Sequence, residues 1–231
     1  MRRQIEERFL ALISDNKMIL LVLLAAVELT LYRSVHSTGF ENDIQPHIMP
    51  AKTTLALQGY IGTDGFIATV SSYFYVYGHI FALLLLAGVI FFSKDQKTNM
   101  LAVVISFALE SLIYLIYPLA PPIRTMAAVP IRVLVFPTSE TLISIKYSAF
   151  PSGHIIKSAL AYLICRRENF FKMSYIYAAN TILVSLVVLY LGEHYAVDVV
   201  GGILLALLGF EAAKRLGKNY LWKSQEDLSK P

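Results

Sequence analysis

Long apolar stretches separated by short polar turns run through most of the chain. A helix that crosses the hydrocarbon core of a bilayer needs about 20 mostly apolar residues. Several stretches come close to this length, and we predict an all-α integral membrane bundle of six transmembrane helices. The predicted spans lie near residues 17–34, 72–92, 99–118, 150–167, 173–192 and 194–213.

The connections between these spans are of two kinds. Residues 93–98 and 168–172 are short and polar, as expected between antiparallel helices. Residues 35–71 and 118–149 are long, contain Pro and Gly, and are still fairly apolar, and long ordered connections are often functional. We expect their apolar parts to lie along the membrane interface or to re-enter the protein. Those parts are residues 61–70 and 127–135.

The composition excludes an ordinary soluble protein. Of the 231 residues, 56% are apolar and only 16% are charged, and the mean hydropathy is +0.59. Such a chain has too little polar surface to coat a water-soluble globule. We expect one membrane-embedded domain over residues 1–231, with tails at 1–16 and 214–231. The net charge of +4 is not gathered into a basic, aromatic-rich run, which argues against nucleic-acid binding.

Basic residues fall unevenly on the two sides of the predicted bundle. If the N-terminus is cytoplasmic, the inside segments hold fourteen Lys and Arg residues and the outside segments hold four. Cytoplasmic loops are typically rich in Lys and Arg, so we expect both termini in the cytoplasm. The four outside residues are Lys52, Arg124, Arg132 and Lys146.

Three polar motifs fall on the outer side of this topology. The second long loop opens with Tyr117-Pro-Leu-Ala-Pro-Pro-Ile-Arg124. The fourth span opens with Phe150-Pro-Ser-Gly-His154, and the sixth with His194-Tyr-Ala-Val-Asp198. Hydropathy and charge alone define the spans, so this agreement is independent of the motifs. We therefore predict an active site at the outer membrane face.

The Pro-Ser-Gly-His motif has the features of an anion site. Pro151 fits the first turn of a helix, where its missing N–H has no consequence. The N–H groups of Ser152, Gly153 and His154 would then point out of the helix end, where the helix dipole favours an anion. Gly153 allows a phosphate oxygen to approach the backbone. The imidazolium of His154 can protonate a leaving oxygen.

The third motif supplies a candidate nucleophile. His194 and Asp198 are four residues apart and share one helical face. We expect the carboxylate to accept the Nδ1 proton of His194, which leaves Nε2 free to attack phosphorus. Arg124 would grip phosphate oxygens and stabilise the transition state. Each motif alone is compatible with a structural role, but the three together at one face favour catalysis.

At these residues the chain resembles the type 2 phosphatidic acid phosphatase superfamily, which also contains vanadium haloperoxidases and sphingolipid head-group transferases. The family pattern is a lysine seven residues before Arg-Pro, then Pro-Ser-Gly-His, then an arginine six residues before a histidine that is followed four residues later by Asp. The resemblance covers roughly residues 73–205. It implies a phosphohistidine intermediate on His194, oriented by Asp198, with His154 as acid and then base.

The chain departs from this pattern at three positions. Tyr117 stands at the lysine position, Thr125 follows Arg124 where the family has proline, and Val188 stands at the second arginine position. A phosphomonoester carries nearly two charges and a phosphodiester carries one, so the missing cations should weaken monoester binding more. Sphingomyelin synthases and inositol phosphorylceramide synthases, which handle diesters, are similar in lacking these arginines.

Two further charged residues near the motifs have two interpretations each. Lys157 lies one turn beyond His154 on the same face. It either restores a positive charge to the phosphate pocket or reaches towards the membrane interface. Glu193 precedes His194 and either tunes the nucleophile or is a solvated carboxylate.

Polar residues within the spans are candidates for contacts with a lipid head group. We single out Tyr117, His79 and Glu110, because ionisable groups inside spans are usually functional. Tyr73, Tyr75 and Tyr77 form either an interfacial aromatic belt or a platform that stacks on a sugar or inositol. No Cys, His and carboxylate set has metal-ligand spacing, so we predict chemistry without a metal or a cofactor.

Three functions are compatible with these residues. The first is a lipid phosphatase or pyrophosphatase, in which water resolves the phosphohistidine. The second is a phosphotransferase that moves a phospho-alcohol, such as phosphoinositol, onto a lipid hydroxyl. In both cases the expected partners are the bilayer and a lipid phosphate or phospholipid substrate. The third is a proton- or ion-coupled transporter whose path includes Glu28, His79, Glu110 and Lys157. Transporters usually show internal repeats and broken helices, which the sequence does not clearly show.

Overall fold

The computed structural model describes residues 52–125, 128–135 and 149–217. Within them the chain is helical and contains no strand, which confirms the all-α class. A π-helical turn, Phe74–Gly78, joins the second and third helices into one continuous rod. In chain order the helices are α1 (Lys52–Ile61), α2 (Gly65–Tyr73), α3 (His79–Phe92), α4 (Gln96–Ile116), α5 (Pro122–Thr125), α6 (Ile131–Val135), α7 (Gly153–Arg167), α8 (Phe171–Tyr190) and α9 (Ala196–Leu216).

Four helical rods in the described part of the chain are long and apolar enough to cross a membrane. They are Gly65–Phe92, α4, α8 and α9, which have 28, 21, 20 and 21 residues. The prediction of six spans is not confirmed. The span expected at 17–34 lies outside the described residues. The one expected at 150–167 contains only the 15 residues of α7, about 22 Å of helix, whereas a bilayer core is about 30 Å thick.

The two apolar loop segments, residues 61–70 and 127–135, contain short helices. Most of residues 61–70 belongs to α2 and lengthens the first described rod by several residues. In the second segment, α6 packs against α2, and Ile131 is fully buried. Ala68 in the first segment is also buried, whereas Phe66, Ile67 and Val70 are exposed.

The short helix α7 lies at the centre of the bundle. It packs most extensively against α8 and α9 and also contacts α3 and α4. Ile156, Leu160 and Ile164 on α7 are fully buried in the main apolar cluster. A helix enclosed in this way needs no long lipid-facing surface of its own, which is why α7 can be short.

Glycines on α9 allow its neighbours to approach closely. A Cβ atom at Gly202 would lie 2.8 Å from the carbonyl oxygen of Ser152 and 2.9 Å from Cβ of Ile155. A Cβ atom at Gly209 would lie 3.1 Å from both N and Cβ of Ser106 on α4. Helices in a membrane associate largely through such close packing of small residues. The approach at Gly202 brings the start of α9 beside the start of α7.

The outward faces of the long helices are apolar. Exposed side chains on α8 include Ile182, Leu183 and Leu186, and those on α9 include Val200, Leu204 and Leu208. A broad apolar outer face on long helices fits contact with lipid chains. The chain is therefore a membrane protein.

The substitution Gly209→Ala tests the close packing of α9 on α4. The added methyl group would overlap Ser106, and overpacking of this kind typically costs about 1–3 kcal/mol. We expect a lower Tm for the purified protein in detergent. The matched control is Gly88→Ala on α3, where a Cβ atom would meet nothing within 4 Å, and we expect its Tm to stay equal or rise. Equal Tm values for both variants and the wild type would contradict the close packing.

Candidate active site

The Pro-Ser-Gly-His motif forms the start of α7. The helix begins at Gly153 with Ser152 as its N-cap, so Pro151 lies before the cap and not in the first turn as predicted. The N–H of Ser152 donates to the carbonyl oxygen of Asp198 at 3.0 Å. The prediction that this N–H points out of the helix end is therefore wrong, because α9 supplies an acceptor. Gly153 and His154 occupy the first two helical positions, whose N–H groups have no acceptor within the helix.

Ser152 itself is fully buried, and its hydroxyl has no hydrogen-bond partner among the described residues. A buried hydroxyl without a partner is unusual in a folded protein. The Ser152 hydroxyl lies at the junction of α7 and α9, next to the helix start where the sequence analysis expected an anion.

A second polar group lies directly beside Gly153. A Cβ atom at Gly153 would overlap Oε1 of Glu110 and lie 2.9 Å from Nζ of Lys157. Lys157 donates to the carbonyl oxygen of Gly153 at 3.2 Å, and its Nζ is 4.0 Å from Glu110. Lys157 therefore reaches back to the start of α7, and the cation and carboxylate are both close to the Pro-Ser-Gly-His backbone.

Glu110 is held in this position by Tyr114, one turn further along α4. The Tyr114 hydroxyl lies 3.0 Å from Oε1 of Glu110 and 2.7 Å from the carbonyl oxygen of Pro151, and it can donate to either. Glu110 and Tyr114 are both buried. The predicted site residue Glu110 thus lies beside the motif, at the junction of α4 and α7.

His194 lies in the tight connection between α8 and α9. Its Nδ1 is 2.7 Å from the carbonyl oxygen of Ala149, whereas the nearer carboxylate oxygen of Asp198 is 3.5 Å away. A carbonyl oxygen can only accept, so Nδ1 is the nitrogen that carries the proton here, and in the neutral ring Nε2 is then the free nitrogen. This is the tautomer that the sequence analysis expected, but the backbone of Ala149 and not Asp198 is the nearer acceptor. Asp198 instead accepts the N–H of Tyr195 at 2.7 Å and places a buried charge beside the imidazole.

The two histidines adjoin each other although 40 positions separate them in the chain. Their ring centroids are 5.8 Å apart in an edge-on arrangement. The His154 ring also stacks on Tyr75, with centroids 4.3 Å apart and planes inclined by 28°. Tyr75 belongs to the π-helical turn, and such turns often occur at functional sites. The fold therefore brings together His154, His194 and Asp198, as the sequence predicted.

Three residues at this site were not identified as site residues from the sequence. Tyr75 is 6% exposed and faces His154, whereas its neighbours Tyr73 and Tyr77 are exposed and fit an aromatic belt. Glu193 is buried, so its interpretation as a solvated carboxylate is wrong. Arg132 is also buried, and its Nε lies 2.5 Å from Oε1 of Glu193. The available signal was a charged residue inside the apolar segment 127–135.

Of the remaining predicted residues, Arg124 and Tyr117 lie near the segments of the site, and the side chain of His79 is not among those that the structure describes. Arg124 is exposed on α5, which is attached to the His194 loop by a hydrogen bond from the N–H of Ile123 to the carbonyl oxygen of Gly192 at 3.1 Å. Tyr117 ends α4 and packs edge-on against Phe150. His79 begins α3, and its side chain is outside the described part of the structure.

No cluster of three or more His, Cys, Asp or Glu side chains suited to a metal ion occurs within residues 52–125, 128–135 and 149–217. The side chains that meet at this site are instead histidines, cations and carboxylates arranged in pairs. Such a set suits acid–base and nucleophilic chemistry at phosphorus.

A family model described as the PAP2 superfamily matches residues 50–212, more than two thirds of the chain. The chain belongs to the PAP2 superfamily. Members of this superfamily are generally phosphatases that act on phosphate-bearing lipids in a membrane. No curated protein and no solved structure matches the chain. The matched residues include both histidines and Asp198.

One departure from the PAP2 pattern, the valine at position 188, can be explained by the structure. Val188 is fully buried in an apolar cluster with Tyr75, Ile131 and Val184. Its carbonyl oxygen accepts the N–H groups of Glu193 and His194 at 3.0 and 3.3 Å. In this PAP2 member the position therefore supports the His194 loop through its backbone, and its side chain brings no charge to the site.

The substitution Asp198→Asn separates two roles of the carboxylate. Where a carboxylate alone sets the histidine tautomer, this change lowers kcat about 10⁴-fold. Here Ala149 holds the tautomer, so we expect only the loss of the charge, about 10²- to 10³-fold in kcat. Asn can still accept the Tyr195 N–H, so the fold should persist. Steady-state kinetics on a lipid phosphate would measure the loss. Glu211→Gln, an exposed change on the same helix, serves as the control, and a full 10⁴-fold loss for Asp198→Asn would contradict this assignment.

Proposed function

We propose that the chain is a membrane enzyme that cleaves or transfers a phosphate-linked lipid head group through a phosphohistidine on His194. The observation that supports this most directly is the proximity of the His154 and His194 rings, with Nδ1 of His194 on a carbonyl oxygen, so that Nε2 is the free nitrogen of the neutral ring. A nucleophile and an acid must both lie within reach of one phosphorus atom to act on its two sides.

The proposed reaction has two steps. In the first, Nε2 of His194 attacks phosphorus, the bond from phosphorus to the leaving oxygen breaks, and protonated His154 gives its proton to that oxygen. In the second, neutral His154 takes a proton from water or from an alcohol, whose oxygen attacks the phosphohistidine and releases His194. The buried charge of Asp198 stabilises the positive imidazole ring while it carries the phosphoryl group.

Several groups around the histidines fit a role in holding the phosphate. They are the helix start at Gly153 and His154, the Ser152 hydroxyl, Lys157 and the guanidinium of Arg124. A helix N-terminus attracts anions through its N–H groups and its dipole, and the Lys157 ammonium lies beside the same backbone. Tyr117, His79 and Glu110 are proposed to contact the head group.

The charge balance at the site favours a singly charged phosphodiester over a doubly charged monoester. Two cations near the histidines, Lys157 and Arg132, each lie close to a buried carboxylate. Position 188 provides no further cation, because Val188 is packed in the apolar core. Fewer uncompensated positive charges reduce the attraction for a dianion more than for a monoanion. Head-group transfer of the phosphoinositol type is therefore the second candidate beside hydrolysis.

A transporter remains the alternative from another class of protein. Of the polar residues proposed for its path, Glu28 lies outside the described residues, and Glu110 and Lys157 lie close to each other at the α7 start. The transporter would be favoured if the protein turned over none of the phosphate lipids tested and if vesicles that contain it took up an ion or a proton.

The enzymatic function is tested with the purified protein and radiolabelled phosphatidylinositol, phosphatidic acid and a prenyl pyrophosphate. Wild type is compared with His194→Ala, and both released phosphate and lipid products are measured. We expect turnover of at least one substrate, and a loss in the variant of about 10⁴-fold or more, as when a covalent nucleophile is removed. Free phosphate indicates a phosphatase, and a new phosphorylated lipid indicates a transferase. Turnover that survives His194→Ala unchanged would disprove the phosphohistidine.

The proposed orientation, with both termini cytoplasmic and the site at the outer face, is tested by cysteine labelling. Lys52 and Lys97 are both exposed but lie on opposite sides of the proposed topology. In a Cys165→Ala background, Lys52→Cys should react with a membrane-impermeant maleimide in intact cells, and Lys97→Cys only after permeabilisation. The reverse labelling pattern would place the site on the cytoplasmic side.

A further inference from the structure

Arg132 connects α6 to the loop that carries His194. Its side chain is 3% exposed, and its Nε lies 2.5 Å from Oε1 of Glu193, whose side chain is 7% exposed. Glu193 immediately precedes His194, and both backbone N–H groups use the same acceptor, the carbonyl oxygen of Val188. Any shift of the Arg132 guanidinium therefore acts directly on the residue adjacent to the nucleophile.

The same guanidinium also contacts the group that supports the second histidine. Its central carbon lies 5.5 Å from the centroid of the Tyr75 ring. The Tyr75 ring stacks on His154 with centroids 4.3 Å apart. A guanidinium is planar, so it can place an edge on a carboxylate and a face on an aromatic ring at the same time.

The segment that carries Arg132 is itself fixed in place. The side-chain amide of Gln58 on α1 donates to the carbonyl oxygens of Val129 and Tyr190 at 3.0 and 3.1 Å, and it accepts the N–H of Val129 at 2.9 Å. These bonds attach the start of this segment to α1 and to the end of α8. Arg132 thus extends from a segment that hydrogen bonds attach to α1 and to the end of α8, and this attachment can define the position of what its side chain touches.

We infer that Arg132 is a positioning residue that sets the separation and orientation of His194 and His154, through Glu193 on one side and Tyr75 on the other. This inference rests on the proposed catalytic roles of the two histidines. A buried ion pair is a poor way to gain stability, because apolar residues of similar size often stabilise a fold as well or better. What such a pair supplies, with its directional contacts, is a defined geometry.

The first test uses Arg132→Lys, which keeps the positive charge but removes the planar group that contacts Glu193 and Tyr75 together. We expect kcat to fall about 10- to 100-fold, because small displacements of catalytic groups have effects of this size, while KM stays within about twofold. The measurement is steady-state turnover of a lipid phosphate by the full chain in detergent. A rise in KM with unchanged kcat would overturn the inference, since it would mean that Arg132 binds the substrate phosphate directly.

The second test separates positioning from stability. The double variant Arg132→Met with Glu193→Gln removes both charges, so that no unpaired charge is left buried. We expect its Tm to lie close to that of the wild type and above that of either single variant, while kcat stays low. A double variant with wild-type kcat, or single changes whose effects on Tm simply add, would overturn the inference.

The matched control applies equivalent changes to an exposed pair on α9. Lys214 and Glu211 form a 2.7 Å ion pair with both side chains largely in solvent, and Lys214→Met with Glu211→Gln should leave kcat and Tm nearly unchanged. The variant His194→Ala is measured in the same assay. If His194→Ala abolishes turnover and the Arg132 variants keep the wild-type kcat, the inference fails and the proposed function stands. If turnover survives His194→Ala, the proposed function itself fails.

Discussion

The hydrogen bond from Nδ1 of His194 to the carbonyl oxygen of Ala149 is the contact on which the candidate site depends. It joins segments 45 residues apart and decides which imidazole nitrogen is unprotonated. The Ala149 backbone is fixed in turn, because its N–H donates to the carbonyl oxygen of Leu119 at 2.8 Å. Bonds from Ser152 to Asp198 and from Ile123 to Gly192 join neighbouring segments of the same site. Three of these four bonds join main-chain atoms only, so they do not directly involve the side chains at positions 117 and 188.

Polar groups at this site are enclosed in a bundle whose outer faces are apolar. An unpaired charge in such surroundings is costly, and the described structure avoids this by pairing. Lys157 lies beside Glu110, and Arg132 contacts Glu193. Close packing at Gly202 and Gly209 brings α9 against α7 and α4, the two helices that carry Lys157 and Glu110.

Much of the fold could be predicted from the sequence, and the reasons are local. Hydropathy located α4, α8 and α9 to within a few residues, because a membrane-crossing helix has a continuous apolar signal. It placed the start of α7 at residue 150, whereas the helix begins at Gly153 and is only 15 residues long. It also assigned residues 61–70 to a long connection that contains Pro and Gly, although most of them belong to α2. Gly62 and Gly65 within this stretch do adopt positive φ, but α2 begins at Gly65.

The sequence alone determined the membrane class of the protein and the short motifs that contain His154, His194 and Asp198. Composition and short spacings carry this information, because both can be read without knowing how distant segments pack. The sequence did not show that His194 lies in the connection before α9, outside the helix that contains Asp198. Only the tertiary structure decided that Ala149 accepts the His194 proton, that the Ser152 N–H is used by α9, and that Arg132 and Tyr75 lie against the histidines. Every residue has a backbone carbonyl, so the sequence cannot show which one will accept a hydrogen bond. The partner of a buried cation is decided only when distant segments pack together.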